Sequence, residues 1–147
     1  MLSNSCRYGI RAVIYLASRP DCKKMTGITT ISTDLNLPAP FLAKILQQLA
    51  KHKILISLKG PHGGFSLLKD PEEITLLDIV RTIDGDDIFN TCIIHNITCR
   101  SYVTEHKKKC ALHDDYSVIR KELVNLFSSR TIQDLVKKAD DPEGIII

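Results

Sequence analysis

The sequence contains no apolar run near the roughly 18 residues that a membrane-spanning helix requires. Nor does it open with a cleavable leader: Met1 to Ala17 carries Arg7 and Arg11 inside its apolar pattern. These two absences predict a cytoplasmic protein without a membrane partner. No Cys-x-x-Cys pair is present, which argues against a zinc ribbon. No phosphate-cradling glycine loop, nucleophile–base set or paired-carboxylate signature appears, so the expectation is a protein that is not an enzyme. Internal repeats and low-complexity segments are also lacking. Acidic residues are scarce early on: residues 1–70 hold three Asp/Glu against ten Lys/Arg.

What is present fits one ordinary domain. The 147 residues are 44% apolar and 25% charged, the balance of a soluble globular chain with a core large enough to dispense with disulfides. Five cysteines, an odd number, read as reduced thiols. The charge is split. Residues 1–70 carry a net +7 and residues 71–147 a net −4, as expected when one half meets a polyanion.

Hydrophobic periodicity places a first helix from about Ser5 to Ser18, with Cys6, Ile10, Val13, Ile14 and Ala17 on one face and Ser3 or Asn4 as its cap. Cys6 reads as a small core residue. Thr30 opens a short helix, Ile31 to Asn36, which Leu37 and Pro38 break. Pro40 then suits the start of a third helix running to about His52. Its apolar face is Phe41, Leu42, Ile45, Leu46 and Leu49. Two β-type runs follow, Ile54 to Leu58 and Phe65 to Leu68, around a glycine-rich tip from Lys59 to Gly64. Thr75 and Asp78 make a capping box ahead of a fourth helix that Gly85 closes. From Asp86 to Leu112 periodicity is lost, so a long functional or disordered loop is expected. A fifth helix begins near Asp114 or Asp115, and Thr131 with Asp134 caps a last one, Ile132 to Ala139. The tail from Asp140 to Ile147 ends in three isoleucines.

Helix, helix–turn–helix, hairpin is the order of a winged helix. The fold class is therefore mainly α with a small β-hairpin: a winged helix–turn–helix domain and a long C-terminal dimerisation helix. The second helix of such a motif lies in the DNA major groove. Its polar face here carries Ala43, Lys44, Gln47 and Gln48, and the last three can donate to base acceptors. Lys59 and His62 at the hairpin tip can reach phosphates or a minor groove, and Gly60, Gly63 and Gly64 let the backbone approach. Double-stranded DNA is the expected partner. An alternative is a helical domain with an incidental hairpin.

Cys92, Cys99, Cys110 and His113 fall within 22 residues. Thiolates and imidazole are the donors that hold iron–sulfur clusters or zinc. The alternative is a set of unrelated loop thiols. The stripe Tyr116, Ile119, Leu123, Leu126 and Phe127 is too apolar for a solvated helix, so it must pack on its own domain or on a second subunit; the latter makes a homodimer.

Certain of these residues carry a resemblance. Tyr8-Gly9 with Arg11-Ala12, the run Lys59-Gly60-Pro61-His62-Gly63-Gly64-Phe65, and Thr75-Leu76-Leu77-Asp78-Ile79-Val80 resemble the Rrf-type transcriptional regulators, represented by IscR, NsrR and CymR. The likeness runs from Leu2 to about Ala139. His62 stands where a third glycine is common, and the gap from Cys99 to Cys110, with Lys107-Lys108-Lys109, is longer than usual. The resemblance implies a homodimeric winged-helix repressor or dual regulator, with Ala39, Pro40, Ala43 and Lys44 where relatives contact bases. It implies an iron–sulfur cluster, of the 2Fe–2S kind, on Cys92, Cys99, Cys110 and His113. The first helix offers no acidic residue as a further ligand to a partner's cluster. The corresponding divisions are 1–84 for the DNA-binding domain, 85–113 for a sensor loop, 114–139 for the dimerisation and closing helices, and 140–147 for the tail. The expected function is a repressor that senses iron–sulfur, redox or nitric-oxide status. Cluster loss or modification would shift the loop and the spacing of two recognition helices. Alternatives are a cluster-free thiol-responsive regulator and a zinc-stabilised interaction module without DNA affinity.

Overall fold

The computed structural model describes residues 2–139; the tail expected at 140–147 lies outside them. The elements are α1 (Asn4–Ala17), α2 (Ile28–Leu35), α3 (Ala39–Lys51), β1 (Leu55–Leu58), β2 (Gly64–Leu67), α4 (Leu76–Asp84), α5 (Asp87–Asn90), α6 (Cys99–His106), α7 (His113–Ser129) and α8 (Ile132–Ala139).

Ser3 caps α1 by accepting the Cys6 N–H at 3.0 Å, which satisfies one of the helix's orphan donors. Ser3 also bonds the Asp84 carboxylate at the far end of α4. Gly9 lies where α1 presses on α3 and α4: a Cβ there would collide with the Ile83 side chain. That close approach is the physical content of the Tyr8-Gly9 pair. The α2 helix starts one turn earlier than its polar residues suggest. Gly27, not Thr30, is its N-cap, and the Gly27 carbonyl accepts from Ile31. The cap offers no side-chain acceptor, so sequence pattern gave no start signal.

The two strands pair antiparallel, Leu55 with Leu67 and Leu58 with Gly64. Thr26 adds an isolated bridge to Phe65 and draws the hairpin toward the start of α2. A core of Leu16, Ile31, Leu42, Leu46, Leu49, Leu55, Leu67 and Ile79 joins α1–α4 to the sheet. Ile132 and Val136 of α8 enter this same core, and the Ile132 N–H bonds the Ile74 carbonyl at 2.8 Å. The chain therefore leaves the winged helix through α5–α7 and comes back to it with α8.

The segment expected to lack periodicity contains α5 and α6. Phe89 anchors α5 in a second cluster with Cys6, Leu77 and Val80. No residue of α6 is buried, which is why it has no readable apolar stripe. Local features hold it instead: Thr98 accepts from the Ser101 N–H at 3.1 Å, and Tyr102 stacks on His106 one turn on.

Candidate nucleic-acid interface and cysteine loop

The wing is shaped by its glycines. Gly64 has φ +140°, and a Cβ on it would meet the Thr26 carbonyl; a Cβ on Gly63 would meet the Leu58 carbonyl. A side chain at Gly64 would push the hairpin away from Thr26 and break the fit between wing and α2, while one at Gly63 would force open the hairpin tip itself. As built, the wing, the first residues of α2 and α3 enclose an open groove of about 330 Å³, lined by Gly27, Thr29, Ala43, Gln47, Lys59 and Gly60 among others. The uncapped N-terminus of α2 opens on this groove and presents free backbone N–H groups, which suit a phosphate.

Lys44, Gln47, Lys59, Pro61 and His62 are exposed, as is Pro40 at the start of α3, while Ala39, Ala43, Gly63 and Gly64 are half-buried and Gly60 is exposed. Gln48 departs from the sequence-based expectation. Its Nε2 donates to the Thr82 carbonyl at 2.7 Å, which ties it to α4 rather than leaving it free for a base edge. A helical face covers about a third of a turn, and Gln48 falls at its far margin. Thr29 was not expected and lines the groove; no sequence signal marks it.

The second constellation lies in the loop ahead of α7. Cys92 Sγ is 3.4 Å from His95 Nδ1 and 3.6 Å from Cys110 Sγ. These three are the described Cys, His, Asp and Glu residues whose ligand atoms converge, all within 4.8 Å of one another. The stretch 91–98 folds back on itself to achieve this. Thr91 bridges Thr98, and the Cys92 N–H reaches the Ile97 carbonyl at 2.9 Å. Tyr102 packs tilted against the His95 ring, centroids 4.2 Å apart. Backbone N–H groups of His95 and Ile94 point at the Cys92 sulfur and hold its thiol below the ordinary range. Burial pushes the Cys110 thiol up instead.

Cys99 and His113 stand outside the convergent group. Cys99 begins α6, and its sulfur accepts from Arg120 Nη2 at 3.3 Å. The same nitrogen donates to the Thr91 carbonyl, and the guanidinium lies over the Tyr116 ring. Arg120 of α7 thus grips both ends of the 91–99 fold. His113 opens α7 and bonds the Cys110 carbonyl through its backbone. His95 was missed by the sequence reading, although Cys92-Ile93-Ile94-His95 repeats the spacing of Cys110-Ala111-Leu112-His113. The donor set, two thiols and an imidazole with a third thiol close by, fits a soft-metal or iron–sulfur group.

The α7 stripe divides in two. Leu123, Val124 and Phe127 pack on the cluster around Phe89. Ile119 and Leu126 face outward, 63% and 49% exposed, with Val118 beside them. Tyr116 is half-buried and lines an apolar cavity with Leu2, Ile88, Leu123 and Phe127. No helix among the described residues is long and apolar enough to cross a membrane.

Comparison with known proteins agrees with this architecture. A protein of Aquifex aeolicus named as an HTH-type transcriptional regulator is 30% identical over 136 residues, 92% of this chain and 91% of that one. CymR, the global cysteine regulator of B. subtilis, has a structure that superposes with a TM-score of 0.77 at 24% identity, covering 95% of this chain and 98% of CymR. T. potens IscR superposes with a TM-score of 0.68 at 21% identity, over 100% of this chain and 93% of IscR. Both likenesses show the fold. The family description "Rrf2: iron-dependent transcriptional regulator" matches residues 2–138. The chain belongs to the Rrf2 family of DNA-binding transcriptional regulators.

Proposed function

We propose that this protein is a homodimeric repressor whose grip on its operator is set by the chemical state of the cysteine loop. The observation that carries the reading is the convergence of Cys92 and Cys110, 18 residues apart, at the root of α7. A winged helix that only bound DNA would not need a paired thiol there. Lys44 and Gln47 of α3 read the major groove, with Ala39, Pro40 and Ala43 close to the bases. Lys59 to Gly64 rest on backbone and minor groove. The outer α7 face, Ile119 and Leu126 with Tyr116 at its edge, meets a second copy, while Leu123 and Phe127 brace that helix from behind. Arg120 joins the loop to α7, so a rearrangement at Thr91 or Cys99 is felt by the helix that spaces the two recognition helices.

Cys92, Cys99, Cys110 and His113 would hold an iron–sulfur cluster, four ligands being the number a two-iron centre takes. Such a group supplies sensitivity to oxidants, to nitric oxide and to iron supply. A second reading is a cluster-free thiol regulator. It is favoured by the closeness of the Cys92 and Cys110 sulfurs and by the low thiol range of Cys92.

Anaerobic purification followed by iron and sulfide analysis, with duplex binding by fluorescence anisotropy, tests these readings. A brown protein containing iron and sulfide whose DNA affinity changes on cluster loss supports the first. A colourless protein whose affinity changes with thiol oxidation supports the second. Affinity indifferent to both treatments removes the sensing role and leaves a constitutive DNA-binding protein.

A further inference from the structure

The three converged side chains have a spacing that a two-iron cluster does not ask for. In a two-iron cluster each iron takes two protein ligands, so three protein donors do not share one centre. A single tetrahedral ion does gather three or four. With Zn–S near 2.3 Å and Zn–N near 2.0–2.1 Å, tetrahedral corners lie about 3.8 Å apart for two sulfurs and about 3.6 Å for sulfur and nitrogen. Here the Cys92 and Cys110 sulfurs are 3.6 Å apart, and Cys92 Sγ to His95 Nδ1 is 3.4 Å. All three ligand atoms lie within 4.8 Å of one another.

The surroundings fix this arrangement from several sides. The Ile97 N–H donates to the His95 carbonyl at 2.8 Å, and the Cys92 N–H to the Ile97 carbonyl, so the turn carries His95 back over Cys92. Tyr102 from α6 packs on the imidazole. Cys92 and Cys110 are buried, 6% and 9% exposed. The Cys99 sulfur instead accepts from Arg120.

We propose that Cys92, His95 and Cys110 form a mononuclear site for a divalent soft cation of the zinc type. It differs from the iron–sulfur centre of the preceding section in stoichiometry and at three residues. His95 enters, while Cys99 and His113 stay out. Three protein donors leave the fourth tetrahedral position to a small ligand such as water. The two occupants share Cys92 and Cys110 and so exclude one another in any one chain, whereas DNA binding does not enter the proposal.

The test uses the full-length chain, reduced, stripped of metal and kept anaerobic, with Co²⁺ as the optical probe. One Co²⁺ per chain should bind, with tetrahedral visible bands and thiolate-to-cobalt charge transfer, and Zn²⁺ should displace it. His95→Ala should weaken binding at least about tenfold, since loss of even an outer-shell partner costs that much. His95→Cys should restore one-to-one binding and strengthen the charge-transfer band, which a merely misfolded loop would not do. Cys99→Ser and His113→Ala should bind as the parent does. The proposal is overturned by a parent that shows no tetrahedral band or takes up two ions. It is equally overturned if His95→Ala binds as tightly as the parent, or if Cys99→Ser or His113→Ala weakens binding as much as His95→Ala. Absence of iron and sulfide after reconstitution would count against the cluster reading alone and would leave these outcomes unchanged.

Discussion

Cys92 and Cys110 place their sulfurs 3.6 Å apart although α6 and a three-lysine turn separate them in sequence. Closing a loop of that length costs conformational entropy that grows slowly with its size. The closure is held by the Thr91–Thr98 bridge, by Arg120 and by the turn from Cys110 into α7. The separation is well beyond a disulfide bond, so the pair is a dithiol. Chemistry that draws the sulfurs together or inserts an ion between them acts directly at the base of α7.

The proposed recognition surface separates two neighbouring glutamines. Gln47→Ala should cost roughly 1–3 kcal/mol of operator binding and relax preference at one base pair. Gln48→Ala should leave DNA affinity unchanged, because its amide is engaged with Thr82. Lys59→Ala should weaken binding to all sequences and flatten the log–log salt dependence by about 0.9 if one phosphate contact is lost. Anisotropy titrations at several salt concentrations check all three.

The two faces of α7 should respond differently to charge. Ile119→Asp changes a residue that is 63% exposed in the single chain, so the subunit should still fold while sedimentation shifts from dimer to monomer. Leu123→Asp puts a charge against the Phe89 cluster and should lower the melting temperature as well. A dimer that survives Ile119→Asp would place the subunit interface elsewhere. In the proposed dimer, two recognition helices should address half-sites about 34–36 Å apart, measurable by footprinting.

The wing tolerates no side chain at Gly64. Gly64→Ala should destabilise the protein by roughly 1–3 kcal/mol through the positive φ and the Thr26 carbonyl. For a chain of this size that is a drop of roughly 2–4 °C in melting temperature for each kcal/mol. DNA binding should fall further than stability alone explains, since the wing would swing off the groove.

Thiol reactivity should rank the cysteines by pH. The Cys92 thiol sits below the ordinary range because backbone N–H groups stabilise its thiolate. Its charged, reactive form therefore persists to lower pH than an ordinary cysteine's and is lost only as pH falls through that lowered value. Burial and the nearby Asp84 carboxylate push Cys6 up to about 12, so it stays a neutral thiol throughout the usual range. Mass spectrometry of metal-free protein alkylated at mildly acidic pH should find Cys92 modified well ahead of Cys6. Equal labelling of the two would contradict the loop geometry.

Much of the fold follows from local pattern. The apolar spacing of α1, α3 and α4, the Thr75–Asp78 capping box and the glycine tip of the hairpin each encode their element within a few residues, so the winged-helix order could be read directly. The same holds for the placement of cysteines ahead of α7. Elements without a buried face were invisible: α6 is fixed by a cap and a ring stack, not by a stripe. Periodicity names a face but not its neighbour. Only the tertiary structure decided that Gln48 is taken by α4, that α8 returns to the first core, and that α7 turns Leu123 and Phe127 inward but Ile119 outward. It likewise decided that His95, rather than Cys99 or His113, lies beside the Cys92–Cys110 pair. Two Cys-x-x-His spacings stand in the sequence, and spacing alone treats them alike. Which imidazole reaches the sulfurs depends on a backbone turn and on an arginine from a distant helix, interactions between residues too far apart in the chain for any local pattern to encode.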